Sequence, residues 1–536
     1  MKSKKNVKDF LYESGVAGII KEIEKEVFPS GKMAAYSDIY KEENGKEYQY
    51  VNYVQEGGGV LGVALVGYTY VLEKLGFRFL KLAGTSAGAI NTIMLASVDK
   101  KNRQEYSSYE TKSEIILHEM LNYDLWRLVD GSKFGKFLIR LFVNNKSGLN
   151  FLLRLFIGSL ITALVSSVLT LFNFSESFKN ILSWLIIVSS SVIILYGVIA
   201  AVYVLKFDKA GFGVNPGNNF RNWIKDILSR NNIHSTNDLN NAMAKHFEGL
   251  QLRNDAERPA SEANTTIQHP YLTIIASDIT NQTKVEFPLM AKDYWNEPLQ
   301  VNPSDYVRAS MSIPVFFSPF KVDVGEEIIS TSKIQQSQLV GEQYEKIKER
   351  QKAKHAYTVR FVDGGILSNF PINIFHNPNI KIARMPTLGV KLEDEKHLSG
   401  NEIEKKRASF FSFIGKIFNT VRYYYDKDFL KKNEVYEKCI GHIDAEKFNW
   451  LDFGLDDETK VKLFRKGAEA ARTFFLGGNV WIDGRESRFR AFSWPKFKQD
   501  RKNSLNNPNN ATEAEALSPD DLLRKIKNKT GEESLT

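Results

Sequence analysis

Between Tyr50 and Ala96 the spacing of hydrophobic positions switches twice, and the rest of the chain is arranged around that stretch. Tyr50–Gln55 is a short run of β-favouring residues that ends in three glycines, Gly57, Gly58 and Gly59. Apolar residues then recur at helical intervals through Leu75. A second β-type run, Phe79–Ala83, leads into GTSAG with Ser86 at its centre, and a further apolar helix is predicted from about Ala87. Strand, turn and helix, given twice in succession, predict an α/β fold.

The rest of the chain is read in the same way. Phe10–Phe28 carries helical spacing among Glu and Lys and is broken by Pro29, Ser30 and Gly31, so residues 1–49 are expected to cover the main domain as helices. Asn219–Leu228 predicts an amphipathic helix. Tyr271–Ser277 and Lys284–Leu289 predict paired strands turning near Asn281. In DYVRASMSIPVFFSPF a helix is expected to end near Pro314, before a strand-like run. Tyr357–Val362 predicts a strand that ends in Asp363, Gly364 and Gly365, and Ile382–Leu392 predicts another, buried one. Residues 401–475 read as mainly helical, with Leu463–Phe474 amphipathic. Residues 325–356 read as a polar surface insertion. Residues 495–536 read as an unstructured tail with a short helix at Pro519–Ile526. The main domain is therefore expected over 50–475.

Two stretches break the soluble pattern. Phe151–Phe174 and Ile181–Leu205 are almost wholly apolar, and each makes a helix roughly 35 Å long, enough to cross a bilayer core. Arg154 lies near the end of the first, within snorkelling reach of the interface. The short polar loop Ser175–Asn180 predicts an antiparallel hairpin, inserted as residues 151–205. Lys133, Lys136, Arg140 and Lys146 precede it, Lys206 and Lys209 follow it, and the far loop offers only Lys179. The positive-inside rule then places the flanking domain on the cytoplasmic side. The competing reading is a buried helical hairpin in a large soluble core.

Charge and composition add little but exclude some classes. The net charge of +9 is modest for 536 residues. Aromatics among the bases of residues 126–146 suit nucleic acid in isolation, but they run straight into the apolar hairpin, so membrane anchoring is expected and nucleic-acid binding is not. The one cysteine, Cys439, cannot form an internal disulfide, and no Cys/His cluster has ligand spacing, so neither metal nor cofactor is called for. The charged start MKSKKNVKDF lacks an apolar core behind it, so no signal peptide is expected.

The candidate chemistry sits in the turns. A serine between strand and helix exposes its hydroxyl on a strained elbow, and the following helix aims its amino end at the reacting oxygen. Gly84 and Gly88 flank Ser86 where side chains would crowd the turn. Gly57, Gly58 and Gly59 offer bare amides to an oxyanion. Asp363, at a strand end, is placed to take the serine proton. Each motif alone also reads as plain structure: a glycine turn, a small-residue helix start, a tight Asp-Gly turn.

Together, GGGVLG at 57–62, GTSAG at 84–88 and DGG at 363–365, with RASMSIP at 308–314 and LSNFPI after the DGG, resemble the patatin-like phospholipase family. The resemblance covers roughly residues 50–150 and 206–475. It implies a three-layer α/β/α sheet domain and lipid acyl hydrolysis by a Ser–Asp dyad. By that carry-over Ser86 is the nucleophile, Asp363 the base, and Gly57, Gly58 and Gly59 the oxyanion hole, with Gly62, Gly84, Gly88, Gly364 and Gly365 as motif glycines. The implied partners are an acyl-lipid substrate of the (lyso)phospholipid type and the bilayer. The hairpin departs from the core family pattern. Competing readings are a Ser–His–Asp hydrolase drawing on His376, His397 or His442, and an inactive membrane scaffold. Dinucleotide binding is disfavoured because no acidic residue ends the second strand.

Overall fold

The computed structural model describes residues 6–133, 135–136, 139, 146–209, 211–245, 248–253, 271–324, 357–377, 380, 382–393, 410–482 and 485–505. The predicted surface insertion 325–356, His397 and residues 506–536 lie outside them.

A mixed sheet organises the chain, with helices on both sides. Its strands are β1 (Ile39–Glu43), β2 (Lys46–Gln55) and β3 (Phe77–Thr85), then, after β4 (Gly213–Asn215), β5 (Gln251–Leu252), β6 (Tyr271–Asp278) and β7 (Thr283–Phe287). β8 (Val315–Phe317), β9 (Phe320–Val324), β10 (Tyr357–Asp363), β11 (Thr387–Glu393) and β12 (Ile440–Asp444) follow. The order is β12-β11-β2-β3-β6-β10-β9, while β4 and β8 form a separate parallel pair. The strands β12, β11, β2, β3 and β6 run parallel, and β10 returns antiparallel to β6.

The two-residue period of the strands sorts their side chains onto two cores. Val51, Tyr53 and Leu82 point into the larger core, with the helices Gly62–Leu75, Ala87–Ser97 and Asp457–Leu476. Val54 and Ala83 point to the other face, against Phe370, Ile372, Leu430 and Tyr436. The α/β/α layering that the resemblance implies is therefore what the chain forms. The N-terminal helices Val7–Ser14 and Val16–Val27 bury Phe10, Ile19, Ile20 and Ile23 in the larger core, the covering role their spacing predicts, but the end of the segment expected to be helical, 1–49, is instead β1 and the start of β2, which pair antiparallel.

Several expectations shift. The hairpin helices run Lys146–Leu169 and Glu176–Lys209, and both are long and apolar enough to cross a membrane. The predicted polar loop 175–180 instead starts the second helix. The Ser175 carbonyl accepts from the Phe178 and Lys179 amides, both at 3.0 Å, and Glu176 complements the positive helix start. The helix expected to end near Pro314 ends at Ser310, so the chain has left helical backbone before Ile313, the residue that Pro314 restricts. The strand predicted from Ile382 begins only at Thr387, since Pro386 has no N–H for the ladder. β12 interrupts the stretch 401–475 that reads as helical. The predicted tail does not begin at 495: Trp494–Leu505 is a helix that buries Trp494 and Phe497.

The helices Gly62–Leu75 and Asp457–Leu476 cross backbone to backbone. A Cβ on Gly467 would collide with the Ala64 carbonyl oxygen, and one on Gly67 with that of Phe464. Overpacking of this kind costs about 1–3 kcal/mol. Gly467→Ala should lower the thermal unfolding midpoint, whereas Gly18→Ala, where nothing stands within 4 Å, should leave it level or raise it. Equal midpoints for both variants would refute the close crossing.

Candidate active site

Strand register assembles the site. β2 and β3 are parallel neighbours with Gln55 opposite Gly84, so their carboxyl ends place the three glycines beside Ser86. β6 lies next, with Ile275 opposite Thr85, and β10 brings Asp363 opposite Ala276. After Asp363 the chain crosses the end of β6 toward Thr85, whose Oγ1 donates to the Ser368 carbonyl at 3.0 Å. A Cβ on Gly364 would strike the Ile275 carbonyl there.

Ser86 caps the helix Ala87–Ser97 with φ 52° and ψ −117°, a backbone that L-residues rarely adopt. Its amide donates to Ser310 Oγ at 2.8 Å, and its own hydroxyl donates to Met311 Sδ at 3.0 Å. A Cβ on Gly84 would meet Gly88, and one on Gly88 would meet the Gln55 carbonyl, so only glycines let strand and helix approach at this elbow. Gly62 has ordinary room toward Ala87.

Asp363 is buried at the pocket floor. Its Oδ1 accepts from the Gly365 amide at 2.7 Å, and its Oδ2 is buried without a hydrogen-bond partner. Burial pushes its pKa up to about 6; proximity of the Ser86 hydroxyl, the Gly365 amide and the Arg422 charge pull the other way. The Ser86 hydroxyl therefore lies close to the carboxyl while pointing at Met311. A thioether is a weak acceptor, so a side-chain rotation re-aims that proton at little cost.

The three glycines are not equivalent. The Gly57 amide is already committed to the Asn369 carbonyl at 3.0 Å. The amides of Gly58 and Gly59 have no hydrogen-bond partner among the described residues. Gly59 holds φ +55° over the Trp450 carbonyl, which accepts from the Val60 amide at 3.0 Å.

Four further residues support the site. Asn369 Nδ2 donates to the Glu56 carboxylate and the Gly57 carbonyl, both at 3.1 Å, lashing the aspartate loop to the glycine loop. Asp426, on the helix Phe410–Lys432, accepts from Ser368 Oγ at 2.7 Å and the Phe370 amide at 2.8 Å, with burial pushing its pKa up to about 6. Arg308 is buried and donates to Ser312 Oγ and to the Pro216 and Ser318 carbonyls at 2.5, 2.6 and 2.7 Å. Arg422 Nε donates to the Gly365 carbonyl at 3.0 Å. Only Arg308 and Asn369 fall in stretches the sequence had singled out.

Ser86, Asp363 and the three glycines line one pocket, otherwise walled mainly by Leu61, Ile313, Ile366, Leu392 and Trp450. No histidine lines it among the described residues. His376 pairs with the Tyr436 hydroxyl at 2.8 Å and burial lowers its pKa to about 4, while His442 pairs with Glu393 at 2.8 Å. Elsewhere Glu105, His118 and Glu119 offer ligand atoms within 4.8 Å of one another. Glu119 there already accepts from Tyr106 and Arg230, both at 2.5 Å.

The chain is 25% identical over 429 residues to the uncharacterized protein YqhO of Bacillus subtilis (strain 168), covering 79% of this chain and 98% of that one. The crystal structure of VipD from Legionella pneumophila aligns at 15% identity with a TM-score of 0.33, covering 84% of this chain and 72% of VipD. The family model of the patatin-like phospholipases matches residues 54–151 and 157–376, more than half of the chain, and the chain belongs to that family.

Proposed function

We propose that this protein is a membrane-anchored lipid acyl hydrolase, of the phospholipase A or lysophospholipase type, with Ser86 as nucleophile and Asp363 as base. The family supports lipid acyl hydrolysis at the coarse level. One observation carries the finer reading: a serine on a strained strand–helix elbow shares a pocket with a buried carboxylate whose Oδ2 has no partner.

Asp363 Oδ2 takes the hydroxyl proton as Ser86 Oγ bonds to the ester carbonyl carbon. The carbonyl oxygen becomes an alkoxide facing the Gly58 and Gly59 amides. Collapse breaks the ester bond, and the departing alcohol takes the proton from Asp363. Water, deprotonated by the same carboxylate, then attacks the acyl-serine and releases the fatty acid, with the proton returning to Ser86. A carboxylate near its ordinary pKa of 3.8 is a weak base, and burial strengthens it. The exposed apolar hairpin faces, with Phe151, Leu164 and Trp184 among them, support insertion in a bilayer. The basic residues at positions 133, 136, 206 and 209 support a cytoplasmic catalytic domain.

Ser86→Ala should abolish turnover of a nitrophenyl ester while thermal unfolding stays cooperative. Undiminished turnover by the pure variant would remove Ser86 from the mechanism.

Asp363 makes a pH prediction. Its carboxyl titrates near 3.8 unfolded and near 6 folded, so the folded state holds the extra proton between these values. Stability then declines as pH rises from about 4 to about 6 and stays lower above, by on the order of 3 kcal/mol. Asp363→Asn should be inactive, yet more stable than wild type at pH 8 and no more stable at pH 4. The same stability difference at both pH values would show that burial does not hold the carboxyl's pKa up.

The hairpin is tested by fractionation. Wild type should stay with membranes through alkaline carbonate, and replacing residues 146–209 by a short Gly/Ser linker should release the protein. Wild type in the supernatant would end the anchoring proposal.

A further inference from the structure

Arg422 is a cation in the reaction pocket that the proposed chemistry does not use. It sits on the helix Phe410–Lys432, and it and Asp363 are the charged residues among those lining the pocket. Its orientation is fixed from two sides. Its Nε donates to the Gly365 carbonyl at 3.0 Å, and one turn on, Asp426 clamps the same helix to Ser368 and Phe370. The guanidinium carbon lies 5.2 Å from the centre of the Tyr423 ring.

That leaves both Nη groups without a hydrogen-bond or ion-pair partner among the described residues. Asp363 does not serve, because no ion pair joins the two. A half-buried guanidinium with two idle donors, in a largely apolar pocket, is an anion site. The anion must reach it while the ester carbonyl is at Ser86. In a glycerophospholipid the three-carbon backbone keeps the phosphodiester close to both esters, so its receptor belongs beside the nucleophile rather than on a remote surface. The planar fork of arginine matches the two free phosphate oxygens.

We infer that Arg422 binds the phosphodiester of the substrate headgroup and makes the site select glycerophospholipid over neutral glyceride. This rests on Ser86 and Asp363 being the reacting pair. An anion on Arg422 also offsets the field that this cation exerts on Asp363, so headgroup binding would strengthen the base.

The test uses the full chain in mixed micelles, with dioleoyl phosphatidylglycerol and dioleoylglycerol as matched substrates. Arg422→Gln should lower kcat/KM on the phospholipid by about 10- to 100-fold more than on the diglyceride, as expected for a lost charge-assisted hydrogen bond. The difference should lie in KM, and Arg422→Lys should restore part of it. Equal losses on both lipids would overturn the inference and make Arg422 a support of the Asp363 loop only. Binding gives a readout independent of turnover. On a Ser86→Ala background, dodecylphosphocholine below its micelle concentration should bind more tightly than dodecylmaltoside, and Arg422→Gln should remove that preference. A preference that survives would also overturn the inference. Micromolar, Arg422-dependent binding of inorganic phosphate alone would assign the pocket to free phosphate and overturn the lipid reading. Absence of any Ser86-dependent ester turnover would defeat the catalytic reading separately, and the detergent-binding result would then decide the role of Arg422 alone.

Discussion

The site depends on holding one residue where neither strand nor helix would place it. The Ser86 backbone costs of order 1–3 kcal/mol in local strain, so its surroundings must over-determine it. The segment 308–312 does this. Ser310 Oγ holds the Ser86 amide at 2.8 Å, Met311 Sδ touches its hydroxyl at 3.0 Å, and the Ser312 carbonyl accepts from the Asp363 amide at 2.9 Å. One short turn thus contacts the elbow and the aspartate together. It is anchored by Arg308, which loses charge-stabilising water on burial and recovers hydrogen bonds from two carbonyls and a hydroxyl. Burial lowers the Arg308 pKa to about 10, which leaves it charged at any physiological pH, so the anchor holds throughout.

A second tension runs through Asp363. A base for serine, the role proposed for Asp363, must be near the hydroxyl and poorly solvated, yet a bare buried carboxylate tends to take a proton. One oxygen is satisfied by Gly365 and the other is left open. Arg422 stands on the carbonyl of that same Gly365, near enough to draw the pKa down without pairing. The carboxyl is therefore balanced between burial and a nearby cation, and each loop holding it is cross-braced by Asn369 and Asp426.

Legibility followed chain locality. The β2 and β3 strands with their turns were readable because strand, glycine or serine, and helix are consecutive, and the register between neighbouring parallel strands did the rest. Asp363 was readable because two glycines mark its turn. Asp426 and Arg422 were not, since they reach the aspartate loop from a helix about sixty residues later, and a polar residue on a half-exposed helix carries no local signal. Arg308 lies in a readable stretch, but its partners are carbonyls of Pro216 and Ser318, which no side-chain pattern encodes. The β12 strand, Ile440–Asp444, was missed because five residues containing a glycine and a histidine give no alternation to read; its pairing with β11 creates it. Nothing local sets Gly57 apart from Gly58 and Gly59, because its amide's bond to Asn369 depends on a residue more than three hundred positions away.

The hairpin gains a geometric reason from β4 and β8. The helix Glu176–Lys209 is followed directly by β4, which pairs with β8 through Gly213–Val315 and Asn215–Phe317. β8 starts at Val315, directly after Ile313 and Pro314, which line the candidate pocket. The exit of the apolar hairpin is thereby stitched to the pocket rim, and Phe212 and Val315 at this seam are exposed. A lipid leaving a bilayer for a water-facing pocket must strip its acyl chain through water, at about 0.8 kcal/mol for each methylene exposed. If the hairpin is inserted as proposed, its base sets the rim against the interface and shortens that passage. The same placement favours a headgroup receptor inside the pocket, since the chain arrives from the membrane side and the phosphate must then be met beside the nucleophile.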